Sequence, residues 1–186
     1  MYLPAMNRFA PLLLLSVLLY PNAASADITA AGDINPAYNS TDPWVLATAL
    51  RVGDTGAATL TIDKGSTAHV DGVSIGASAG STGMVTVDGA DSEMNSSSWF
   101  TLGNYGDGTL LVSNSGSVSN ENGAIYGASS AATVTGDGST WDNSGTLYVG
   151  LASNLLFPPN VDTSNTLHIE AGGAVSSATG IIGDRQ

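Results

Sequence analysis

Gly127 to Gly150 reads GASSAATVTGDGSTWDNSGTLYVG, and the grammar of this stretch decides the fold. Ala132 and Val134 form a short apolar run. A turn rich in Gly and Asp follows, then one large residue, Trp141. A second turn leads to Leu147, Val149 and a closing Gly150. Apolar and polar residues alternate within each run, as in a strand with one buried face. The turns use Gly and Asn, which accept a positive φ, and Asp and Ser, which bond nearby backbone.

The grammar recurs in both directions. Six segments share an ending of the form apolar-x-apolar-Gly or apolar-apolar-Gly: LRVG at Gly53, VSIG at Gly76, FTLG at Gly103, AIYG at Gly127, LYVG at Gly150 and GIIG at Gly183. The steps between these glycines are 23, 27, 24, 23 and 33 residues. Such a period is the signature of a solenoid. After each of the first five glycines comes a second apolar cluster: TLTI at 59–62, MVTV at 84–87, TLLV at 109–112, ATVT at 132–135 and TLHI at 166–169. A third position follows within the same unit: Ala68, Met94, Val118, Trp141 and Val175.

Three short strands and three turns in roughly 23 residues fit one coil of a parallel β-helix, stacked at about 4.8 Å per coil. The expected architecture is all-β, with about five to six coils. The coils alternate. Large residues occupy the third position in one type (Met94, Trp141) and smaller ones in the other (Ala68, Val118, Val175), giving a true repeat of two coils.

TLTI-x-x-G, GDGSTWDNSGTLYVG and the early GDINP resemble the repeat associated with type V secretion (autotransporter) and PEP-CTERM proteins. The resemblance covers roughly Gly32 to Gly183. It implies a right-handed parallel β-helix of the passenger type, in a secreted or cell-surface bacterial protein. The sequence departs from that pattern after Gly183, where neither a membrane β-barrel nor a PEP-CTERM sorting signal follows. The expectation is a truncated passenger or a short secreted relative, with end-to-end self-association through its last coil.

Met1 to Ala26 has the order of a secretory signal peptide: Arg8, the apolar Leu12 to Leu19, Pro21, and small residues at Ala24-Ser25-Ala26. The expected divisions are this leader at 1–26, an N-terminal cap at 27–48 in which Trp44 covers the core, and repeats at 49–186. Residues 151–165, LASNLLFPPNVDTSN, account for the long last step and are read as an inserted loop. Insertions in solenoids lie on the flank, often on a binding face. Leu155, Leu156 and Phe157 in this loop either pack back onto the rod or contact a cell-surface or matrix ligand.

Composition narrows the functions. There are 16 acidic residues against four basic ones, and the net charge is −12. That charge disfavours nucleic acid and anionic lipid. With no cysteine there is no disulfide, thiolate metal site or thiol nucleophile. A polysaccharide lyase needs a basic residue beside its substrate, but Arg51, Lys64 and Arg185 are scattered. The acids Asp54, Asp63, Asp71, Asp107, Asp137 and Asp142 read as turn residues that bond their own backbone. Asp88, Asp91 and Glu93 form the densest acidic cluster, yet they lack the calcium nonapeptide of β-rolls. His69 and His168 are isolated.

Trp99, Tyr105, Tyr126, Tyr148 and Trp141 would stack on sugars if exposed, though packing in the core or on the flank is the favoured reading. No catalytic, cofactor or metal set is assigned. The expected role is a structural, display-type solenoid, adhesive through loops. The alternative is a carbohydrate-active enzyme on the same fold.

Overall fold

The computed structural model describes residues 27–127, 129–150 and 164–183. The leader at 1–26 and all but the last two residues of the 151–165 insertion lie outside them. The described residues form 17 strands and no helix. First come β1 (Asp27–Gly32), β2 (Ile34–Asn35), β3 (Trp44–Val45) and β4 (Leu50–Val52). The next turn is β5 (Ala57–Asp63), β6 (Thr67–Val70) and β7 (Val73–Ile75). It is followed by β8 (Thr82–Asp88), β9 (Glu93–Ser96) and β10 (Trp99–Leu102), then by β11 (Asp107–Ser113), β12 (Ser117–Asn120) and β13 (Asn122–Ile125). After β14 (Ala131–Thr135), β15 (Thr140–Val149) runs through a corner as one strand. β16 (Thr166–Glu170) and β17 (Ala174–Ile182) repeat that arrangement.

These strands build a parallel β-solenoid. Its first face is β5, β8, β11, β14 and β16, all in parallel register. The second face runs β3, β6, β9, β12 and then the first half of β15 and of β17. The third runs β4, β7, β10, β13 and then their second halves. From β5 to β16 the chain makes about four turns, fewer than the five or six expected. The difference arises at the start: β3 and β4 have no parallel partner strand on the first face. That place is taken by β1, which pairs antiparallel with β5.

Each apolar station becomes an inward ladder. On the first face Leu60, Val85, Leu110, Ala132 and Leu167 are register partners, as are Ile62, Val87, Val112, Val134 and Ile169. On the second face the ladder is Trp44, Ala68, Met94, Val118, Trp141 and Val175. Large and small side chains alternate along it. Each bulky residue fills space left by its smaller neighbours on the adjacent rungs, which keeps the interior close-packed. The two-coil repeat in the sequence is this packing rule made visible.

Trp141 extends the rule across three turns. Its ring meets Phe100 edge-on, with centroids 6.0 Å apart, although Phe100 lies two turns earlier. The intervening rung on the third face is Gly123. A Cβ there would stand 2.8 Å from Leu147 Cδ1 and 3.1 Å from Trp141 Cζ2, and would collide with Asn143 Oδ1. Gly123 is therefore the space that the indole occupies.

The glycine endings close corners. Gly76 has a φ of 68°, and a Cβ there would collide with the Asp107 carbonyl of the next turn. One ending is out of phase. Ile125, not Tyr126, partners Leu102 and Val149. Tyr126 then donates its N–H to the Leu102 carbonyl at 2.7 Å, the place Gly103 holds one turn earlier against Ile75. AIYG thus carries one extra residue at its corner.

Candidate functional site

The sequence suggested that the turn acids bond their own backbone, but the carboxylates of Asp54, Asp71, Asp107 and Asp142 instead bond residues of another turn, whereas Asp63 Oδ1 is buried without a partner. Asp88 Oδ1 accepts hydrogen bonds from Ser113 Oγ at 2.6 Å and Asn114 Nδ2 at 2.7 Å. Asp107 Oδ1 accepts from the Ser129 N–H at 3.0 Å, and Asp71 Oδ1 from Ser97 Oγ at 3.0 Å. Asp142 sits within β15 rather than in a turn, and accepts from Ser176 Oγ at 2.7 Å. Asp137 contributes its carbonyl, which accepts from Ser115 Oγ at 2.8 Å. Asp54 Oδ2 accepts from Asn35 Nδ2 at 2.9 Å. Asp33 shows the electrostatic consequence. Its Oδ2 accepts from the Thr55 N–H, the Thr55 hydroxyl and the Gly56 N–H, and these donors hold its carboxyl below the ordinary carboxylate value.

Asp88, Asp91 and Glu93 do not converge. Among the described residues no three His, Asp or Glu side chains form a group able to hold a metal ion. His69 lies on the outer side of the second face, where Asn95 Nδ2 is 3.1 Å from its Nδ1. His168 lies exposed on β16 of the first face. Arg51 is 3.7 Å from Asp54, and Lys64 is 3.4 Å from Asp27. Arg185 is outside the described residues. Of the 151–165 insertion, Asn165 is described; its Oδ1 accepts the Ser130 N–H and its Nδ2 donates to the Gly127 carbonyl.

One corner gathers more polar chemistry than the rest. An open groove of 480 Å³ runs along the junction of the second and third faces. It is lined by serines of four turns, by Asn120 and Asn143, and by Glu121 and Asp142. Its floor is a buried relay: Trp141 Nε1 donates to Asn120 Oδ1 at 2.7 Å, Asn120 Nδ2 to Asn143 Oδ1 at 2.7 Å, and Asn143 Nδ2 to the Ser176 carbonyl at 3.0 Å. Asn120 and Asn143 are buried with their amides partnered, so the relay fixes the corner rather than reaching into solvent. Ser119 Oγ also donates to Asn95 Oδ1 on the outer wall.

Beside the groove lies an aromatic pair. Trp99 is 42% exposed. Its ring runs nearly parallel to that of Tyr148, at an interplanar angle of 16° and a centroid separation of 6.1 Å. Tyr126 is half-buried nearby; burial raises its phenol pKa, and Tyr148 adds to the shift. Trp141, by contrast, is fully buried. The signal for Trp99 was present in the sequence: in Trp99-Phe100-Thr101-Leu102 it is out of phase with the two inward residues. Tyr148, between Leu147 and Val149, carries the same signal. The groove itself was not legible, because its lining comes from residues spread over 81 positions of the chain, Ser96 to Ser176.

The geometry defines the class of protein, a parallel β-solenoid with an acidic outer surface. No protein-family model, curated protein or solved structure matches the chain. Among the described residues no helix is long and apolar enough to cross a membrane.

Proposed function

We propose that the chain is a β-solenoid segment of an exported bacterial surface protein, serving as a stiff, soluble rod for display. The observation that carries this reading is the unbroken second-face ladder from Trp44 to Val175, whose packing spans every turn. Most of the described apolar residues, and several of the turn acids, are absorbed in joining coil to coil. The leader-like 1–26 and the likeness to passenger repeats supply the export. The carbohydrate-active alternative has less support, since the corner groove pairs its two carboxylates with no lysine or arginine among the described lining residues.

The two ends of the rod differ, and this supports self-association. At the start, β1 covers β5, and Trp44 is fully buried with Tyr38 edge-on at 5.1 Å. At the other end of the described residues, the inward rungs Ile169 and Ile182 are 50% and 82% exposed. A parallel edge with exposed apolar side chains invites pairing. Joining two such ends about a two-fold axis closes the contact.

One preparation tests both parts. The full chain is expressed with its leader in a Gram-negative host, and the protein is recovered from the periplasm or medium. The expected N-terminus is Asp27, and sedimentation velocity should show a concentration-dependent dimer that Ile182→Asp disperses. Cytoplasmic protein that retains Met1 would overturn the export reading. A wild-type monomer at all concentrations would overturn the association.

A further inference from the structure

We infer that Trp99 and Tyr148, with the corner groove beside them, form a binding site for a neutral saccharide chain. The first support is the shape of the aromatic pair. Carbon atoms in face-to-face contact lie about 3.5–4.0 Å apart. Near-parallel rings with centroids 6.1 Å apart are therefore displaced sideways, and part of each ring face stays uncovered. Ala124 gives a second measure. It partners Thr101 and Tyr148 on the outer side of the third face, yet it is fully buried and lies outside the core cluster. Its cover therefore comes from outside, where its register partners are Thr101 and Tyr148 and Trp99 stands two residues before Thr101 on the same outward side. The paired rings of Trp99 and Tyr148, in the turns on either side of the one that holds Ala124, make a shelf along the rod.

The second support is what borders the shelf. Ser97, on the groove wall, precedes Trp99 by two residues. Glu121, also on the wall, precedes Asn122, the register partner of Trp99. A pyranose presents an apolar C–H face and a rim of hydroxyl donors and acceptors. An aromatic shelf meets the first, and a groove of serines, Glu121 and Asp142 meets the second. The carboxylates accept hydrogen bonds and repel anions, and the whole chain carries −12, so an acidic glycan is disfavoured. A peptide adding as a strand needs an open sheet edge, but β10 is paired on both sides, with β7 and β13. This site is independent of the display role: it requires neither export nor self-association.

Affinity electrophoresis and calorimetry on the purified protein test it, with the hexasaccharides of cellulose, xylan, mannan and laminarin as probes and polygalacturonate as the anionic comparison. The expected result is binding of at least one neutral hexasaccharide, accompanied by a change in tryptophan emission, and no binding of polygalacturonate. Trp99→Leu keeps an apolar cover over Ala124 but removes the ring face, and should weaken binding about tenfold or more with an unchanged circular dichroism spectrum. Tyr148→Leu serves the same purpose if Trp99→Leu fails to fold. Met84→Ala, on the outer side of the first face, should bind as wild type. Failure of all four neutral probes, preference for polygalacturonate, or wild-type binding by a folded shelf variant would overturn the inference.

Discussion

Trp141→Ala is expected to lower the unfolding free energy by about 4 kcal/mol, the middle of the range for truncating a buried aromatic. Three losses combine. The indole is fully buried and fills the space that Gly123 leaves. Its edge contact with Phe100 ties together turns that are not neighbours. Removing Nε1 also strips Asn120 Oδ1 of its donor inside the wall, a penalty on the order of 1–3 kcal/mol. Against a typical stability of about 5–15 kcal/mol, a change of this size moves the urea midpoint far to the left. Equilibrium urea unfolding followed by circular dichroism measures it. Trp99→Ala, on the outer shelf, should cost less than half as much. Equal costs for the two tryptophans would contradict the inward and outward assignments.

Gly83→Ala carries the second large effect, although it adds only a methyl group. Gly83 is an inward rung on the first face, between Ala58 and Gly108. A Cβ at Gly83 would lie 2.7 Å from Ile75 Cγ2 and 2.8 Å from the Gly76 nitrogen, and would collide with the Val52 carbonyl. Two of these three neighbours are backbone, held in the ladder hydrogen bonds of the third face, so they cannot swing aside as a side chain would. Overpacking of this kind costs about 1–3 kcal/mol, and the fixed neighbours place Gly83→Ala at the upper end. Gly56→Ala is the matched comparison. Its nearest contact is Asp33 at 3.6 Å, so its thermal midpoint should stay within about 2 °C of wild type. A Gly83→Ala protein as stable as Gly56→Ala would show that the first and third faces do not approach as described.

The inward ladders were legible because one period of apolar residues repeats along the chain. Val118 and Trp141, small and large on adjacent rungs, carry both the coil and the two-coil alternation. Three features did not follow from that period. The direction of β1 is set by its pairing with β5, and an antiparallel strand of alternating residues reads like a parallel one. The extra residue at Tyr126 keeps the glycine ending intact, so only the hydrogen-bond register exposes it. The acids read as turn residues because Asp commonly bonds its own backbone. In a solenoid the next coil lies about 4.8 Å away and presents hydroxyl and N–H donors at the same corner, so Asp71 reaches Ser97 and Asp107 reaches the Ser129 N–H instead. The corner groove was hidden for a related reason. Its walls are stacked from distant stretches, and its residues become neighbours only when the register is known.

That register is the central claim, and side-chain nuclear Overhauser effects on the second-face ladder test it most directly. The predicted spectrum links the Trp141 ring to the Val118 methyl groups and to the Phe100 ring, and links the Trp44 ring to Ala68. A slip of one residue would turn every side chain to the opposite face and set Trp141 beside Ser117 or Ser119. Trp141 contacts confined to its own turn, or directed at those serines, would contradict the account.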